Sequence, residues 1–209
     1  GFQMGAAGDQ SSRHFRSGQT FDEAKRVGFA LAAEAERVIN RLDFDPDPNL
    51  IVRHADLMPK LKPIPTLEEA AADRQAAEQA LEEARRNNEP YPVLRTLECA
   101  LIGADRRLEI AKAGKAAYIG YQALFPFDIM VAGIGSGRMV AVPCEIFVEF
   151  GLRLKKESPF EKTYLAATSN GASSGYLYTP ESYEEGGYEP LVSIYAPEAG
   201  DQVIDTALS

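Results

Sequence analysis

Leu124-Phe125-Pro126-Phe127-Asp128-Ile129-Met130-Val131-Ala132 leads through Gly133-Ile134 to Gly135-Ser136-Gly137, then to Arg138-Met139-Val140-Ala141-Val142. This stretch decides the fold. Its two short apolar runs carry β-branched residues and predict strands, and the Gly-Ser-Gly between them predicts a hairpin turn. Pro143-Cys144-Glu145 then predicts the start of a helix reaching about Lys156. Lys162 to Ala167 predicts another strand, and Asp201 to Leu208 a last helix. Strand, hairpin, helix and strand in this order predict a mixed α/β fold, a sheet with flanking helices, and no internal repeat.

Upstream, Thr20-Phe21-Asp22-Glu23 reads as a capping box opening a helix to about Leu42. Val27, Ala30, Leu31, Ala35, Val38 and Ile39 share one face of it. Asp43 to Pro48 is a turn-rich break, and Leu50 to Leu57 reads as a strand ended by Pro59, Pro63 and Pro65. Thr66-Leu67-Glu68-Glu69 is a second capping box, for an Ala/Glu/Arg-rich helix to about Arg86. A third helix spans about Pro92 to Ala113. The pair predicts a helical hairpin over 66–113, its polar member forming a solvated outer layer.

The chain has 209 residues, 45% hydrophobic content and a net charge of −9, enough for a single domain (1–209) with a real core. The acidic balance argues against nonspecific binding to nucleic acid or anionic membrane surfaces. No apolar run is long enough to span a bilayer. Gly1 to Gly8 lacks the basic start and apolar run of a signal peptide, so this sequence reads as the interior of a longer protein, with any export signal upstream. Two cysteines, Cys99 and Cys144, do not define a redox compartment.

Three places carry candidate chemistry. Gly8-Asp9-Gln10-Ser11-Ser12-Arg13 is a glycine-rich turn presenting Asp9 and Ser11. It is not a nucleophile elbow, because Asp9 stands where that motif needs glycine, and turn chemistry alone accounts for it. Val142-Pro143-Cys144-Glu145 sets a carboxylate where a strand ends, at the rim where α/β sheets bind ligands, though a first-turn carboxylate also suits a helix dipole. Cys144 has no neighbouring histidine in sequence to activate it and reads as a small buried thiol. The third place, 170–189, places Tyr176, Tyr178, Tyr183 and Tyr188 among four glutamates in a segment that reads as loop. Tyrosine can donate, accept or, deprotonated, ligate a metal. Gly133-Ile134-Gly135-Ser136-Gly137 is not a phosphate loop, since it lacks the lysine and the helix that follow one. His54 reads as a strand residue and His14 as a surface one.

Together these places resemble the neutral/alkaline (non-lysosomal) ceramidase family of zinc-dependent amidases. Gly8-Asp9-Gln10-Ser11-Ser12 resembles its Gly-Asp-Val-Ser-Pro motif. Pro143-Cys144-Glu145, with Gly151 and Arg153-Leu154 beyond, resembles its Pro-Gly-Glu-Phe segment. Asn170 to Glu189 resembles its Asn…Tyr…Thr-x-Glu-x-Tyr…Tyr-Glu segment, and Ile194-Tyr195-Ala196-Pro197 the Tyr-Gly-Pro that follows.

The resemblance implies that the chain is the C-terminal portion of a ceramidase-like catalytic domain, hydrolysing the amide of N-acylsphingosine or a related N-acyl lipid. It implies Glu145 and Tyr176 as zinc ligands, Ser11 with Asp9 near the scissile amide, and Tyr188 stabilising the tetrahedral intermediate. The remaining zinc ligands, two histidines in the family, would lie before residue 1, on a missing N-terminal segment of the same domain. The chain alone is therefore expected to be inactive. Gln10, Ser12 and Cys144 depart from the family's Val, Pro and Gly. A serine esterase using Ser11 with His14, and a noncatalytic scaffold, are the alternatives.

Overall fold

The computed structural model describes residues 2–12, 15–43, 49–116, 124–171 and 175–209. His14, most of the 43–48 break and the 172–174 part of the tyrosine-rich segment lie outside the described residues.

The predicted hairpin forms the centre of a four-stranded sheet. Strand β1 is Leu50–Leu57, β2 is Phe127–Ile134 and β3 is Gly137–Ala141. Gly135 and Ser136 make the turn, with Ile134 paired to Gly137. Gly135 has φ +55°, the positive value that a two-residue hairpin turn demands of its first residue and that glycine adopts at least cost. β1 runs antiparallel to β2, from Leu50 opposite Ile134 to Leu57 opposite Phe127. β5, Lys162–Ala166, joins parallel to β3, giving the order β1-β2-β3-β5. A parallel neighbour needs a crossover, and helix α4, Val148–Glu157, lies within it.

Pro143-Cys144-Glu145 does not open that helix. Glu145–Ile146 forms a short strand, β4, parallel to β6, Tyr176–Leu177. The Glu145 amide donates to the Gly175 carbonyl and the Phe147 amide to Leu177, both near 2.9–3.0 Å. These ladder bonds hold the backbone extended until Phe147, and α4 begins only at Val148. The 170–189 segment is likewise more ordered than a loop. After β6 it forms two short helices, α5 (Pro180–Glu185) and α6 (Tyr188–Val192). Thr179 caps α5, accepting from the Ser182 amide.

The core lies under one face of the main sheet. Phe127, Ile129, Val140 and Val142 meet Phe150 and Leu154 of α4, and Val203 and Ile204 of α7 (Ala199–Leu208). Each such side chain contributes roughly 1.5–3 kcal/mol on burial. Gly200 is required here: a Cβ on it would sit 2.1 Å from the Phe150 ring. Arg153 fastens α4 to α7 by bonding Asp201 at 2.9 Å and Asp205 at 2.5 Å.

The predicted helical hairpin is present as α2 (Leu67–Arg86) and α3 (Tyr91–Ala113), with Thr66 and Glu69 forming a complete capping box. Arg74–Asp105 at 2.8 Å and Arg107–Asp73 at 3.3 Å pair the two helices. The hairpin packs through α3 onto α6, where Gly103 admits Leu191. Helix α1, Phe21–Ile39, forms with Thr20 as its cap, but its periodic apolar face is not covered among the described residues: Leu31 and Ile39 are each 56% exposed. No helix among the described residues is long and apolar enough to cross a membrane.

Candidate active site at the β4–β6 pair

Glu145 and Tyr176 are direct partners in the parallel β4–β6 pair. Both are half-buried, whereas the next pair, Ile146 and Leu177, is buried in the core. Alternation along the two strands thus aims the apolar pair inward and the polar pair at the surface. The Tyr176 phenol lies close enough to the Glu145 carboxylate to feel its negative charge. That phenol is pushed up to about 12, first by burial, then by the negative charge of Glu145 and by Tyr188 and Glu189.

Tyr188, the first residue of α6, sets its ring edge-on to Tyr176, with centroids 6.2 Å apart at 72°. Ser193, just beyond α6, locks this arrangement, its hydroxyl donating to the Tyr176 carbonyl at 2.7 Å.

On the other side, the segment Ala7 to Ser12 is laid against β4. The Gly8 amide donates to the Ile146 carbonyl at 2.9 Å. Gly8 is needed for that approach, because a Cβ there would lie 2.7 Å from the Glu145 carbonyl oxygen. Gly8, Ser11, Ser12, Glu145 and Thr168 line an open groove of about 630 Å³. Ser11 therefore shares a groove with Glu145. Asp9 turns the other way: one carboxylate oxygen accepts from the Val148 amide at 2.9 Å and the other from the Gln10 side chain at 3.0 Å.

The structure thus gathers Glu145, Tyr176 and Tyr188 into one cluster and places Ser11 at the adjoining groove. Asp9 acts as a long-range cap for α4, a role that a local reading of Gly8-Asp9-Gln10-Ser11 misses. Cys144 is completely buried in the core, and burial pushes its thiol far above the ordinary range, so it supplies no thiolate nucleophile. His54 lies on β1 and bonds Asp128 at 2.8 Å, on the main sheet.

Glu145 and Tyr176 are oxygen donors of the kind that zinc accepts. A catalytic zinc takes at least three protein ligands. Among the described residues no three His, Cys, Asp or Glu side chains converge to hold a metal. The pair fits zinc as part of a coordination shell, with further donors required.

No protein-family model matches the chain, and no curated protein does. Among solved structures, the neutral ceramidase from Pseudomonas aeruginosa matches over 99% of this chain, with a TM-score of 0.57 and 18% identity. The chain shares the fold of part of a neutral ceramidase. It spans 36% of that ceramidase chain. A ceramidase complexed with C2 matches 39% of this chain and 14% of its own at 23% identity, with a TM-score of 0.35, too low to bear on the fold. The likeness to the Pseudomonas ceramidase runs the length of the chain and therefore includes β4, β6 and the glycine-rich turn.

Proposed function

We propose that this chain forms part of a zinc-dependent hydrolase that cleaves a linear amide C–N bond, with an N-acyl lipid of the ceramide class as substrate. One observation carries this reading: β4 and β6 pair Glu145 with Tyr176, and Glu145 also lines the groove that Ser11 lines. The ceramidase fold supports it. Glu145 and Tyr176 would hold the metal together with donors outside the described residues. Bound zinc supplies Lewis acidity toward a carbonyl and lowers the pKa of a bound water toward ~7.

The roles of this chain's own residues follow from position. Ser11 offers a hydroxyl to a substrate lying in the groove. Tyr188, whose ring lies against Tyr176, would donate a hydrogen bond to an oxyanion developing near Glu145, a contribution of a few kcal/mol where such donors are preorganised. Asp9 fixes the Ser11 turn by tying it to α4.

The test is zinc binding by equilibrium dialysis together with turnover of a short-chain N-acylsphingosine. The chain is expected to bind zinc weakly, to lose that binding in Glu145→Gln and Tyr176→Phe without a change in circular dichroism, and to show no turnover alone. Zinc binding that survives both substitutions overturns the ligand assignment. Stoichiometric-zinc turnover by this chain overturns its dependence on further donors.

A further inference from the structure

A second groove, of about 420 Å³, adjoins the one that Ser11 and Glu145 line, and its size falls within the range of small-molecule sites. Its walls come from β3 (Met139), α4 (Val148, Leu152), β5 (Tyr164, Leu165) and the first described segment (Ala6). Lys155 is the one charged residue among the described residues that line it. The stem of such a side chain adds apolar surface while its head stays in water. Leu152 is 60% and Tyr164 57% exposed. Single exposed apolar residues need no explanation, but these two stand on different elements around one depression.

The strip Met4 to Gly8 borders both grooves. Ala6 lines the second, Met4, Ala7 and Gly8 line the first, and Gly5 lines both. The strip is pinned on either side of Gly5. The Ala167 amide donates to the Met4 carbonyl at 2.9 Å, and the Gly8 amide donates to Ile146. Ala6 packs so closely on α4 that a Cβ on Gly151 would come within 2.6 Å of it. Gly5 is different. It is exposed, and its φ lies outside the left-handed region that favours glycine. A Cβ built on it meets only the Leu165 carbonyl oxygen, at 3.8 Å, an ordinary contact. Neither backbone conformation nor packing calls for glycine at this position. The missing side chain keeps the crest between the two grooves low.

We infer that the second groove receives the hydrocarbon tail of an N-acyl lipid whose amide lies in the first, the chain crossing between them at Gly5. This rests on the reading of the Ser11–Glu145 groove as an amide site. The lining selects the tail's chemistry: a linear hydrocarbon covers Met139, Val148, Leu152 and Leu165, whereas a polar tail would leave them wet. Gly5 and Leu152 are then specificity-determining positions, acting on chain length and not on the bond that is cleaved.

Calorimetric titration of the complete chain with N-acetylethanolamine and N-decanoylethanolamine, both below micelle formation and with EDTA present to exclude zinc, tests this. A buried methylene is worth about fourfold in affinity, so settling three or four of them in the groove favours the decanoyl compound by about a hundredfold. Gly5→Val raises the crest and Leu152→Glu places a charge in the groove. Each is expected to weaken N-decanoylethanolamine by about tenfold or more, with circular dichroism unchanged. Leu152 is exposed on α4 and decides alone if Gly5→Val does not fold. Affinity independent of chain length, or decanoyl binding that survives either substitution, overturns the assignment. Chain-length dependence without zinc binding by the parent would remove the metal reading and leave this subsite. Zinc binding without chain-length dependence would do the reverse.

Discussion

The Asp9 carboxylate accepts the amide hydrogen of Val148 at 2.9 Å, joining the first described segment to the start of α4 across most of the chain. The residue that would normally cap this helix, Phe147, has no side chain able to do so. Replacing Asp9 by Ala is expected to cost about 1 kcal/mol, and by Asn only a few tenths, as for other helix caps. Urea unfolding monitored by circular dichroism measures this. An Asp9→Ala variant as stable as the parent would show that the cap contributes nothing.

Gly8→Ala places a methyl group 2.7 Å from a backbone oxygen of Glu145, with no flexible neighbour to yield. The turn is expected to lift from β4, at a cost of about 1–3 kcal/mol. Hydrogen exchange provides the more specific readout, because the Gly8 amide bonded to Ile146 should lose its protection while α2 and α3 retain theirs.

The Tyr178 hydroxyl is buried and donates to the Tyr195 carbonyl at 2.5 Å. Tyr178→Phe leaves that carbonyl without this donor in the core. A loss of about 1–3 kcal/mol is expected, read as a lowered urea midpoint with an unchanged slope.

Lys62 gives a pH dependence with a definite sign. Its folded-state value of about 8 lies below the ordinary 10.5, so between these limits the unfolded chain binds more protons than the folded one. Stability contributed by this group is therefore present above the unfolded value and lost as pH falls through about 8. Relative to Lys62→Met, the parent should gain stability as pH rises from about 8 toward 10.5, and the difference should be flat below. Paired urea titrations across that range check it, since the tyrosines common to both proteins cancel. A difference that shrinks with rising pH contradicts the burial of this ammonium.

Local signals carried much of the architecture. The capping box at Thr66–Glu69 and the Gly135-Ser136 turn state their structures within a few residues, and α2, α3 and the β2–β3 hairpin follow. What local reading misreads depends on distant partners. Pro143 and Glu145 look like the first turn of a helix, but Tyr176 and Leu177 draw Glu145 and Ile146 into a strand instead. The tyrosine-rich segment reads as loop because its glycines mask β6, α5 and α6. Lys62 sits among prolines that announce only a strand end, and the carbonyls that fix it come from Pro190 and Ser193. The apolar face of α1 announces a buried helix, yet no described residue covers it. The resemblance to ceramidases rests on motif order, which local periodicity does not encode, and the fold agrees with it over the length of the chain.

The parallel pairing of β4 with β6 has a consequence for how such a site evolves. Main-chain bonds, not the side chains themselves, bring positions 145 and 176 together, and the neighbouring Ile146 and Leu177 anchor the register in the core. Mutation can therefore exchange the chemistry at those two positions while the scaffold stands. Descendants of one ancestor can keep the architecture and change the reaction, or lose it, by altering two codons.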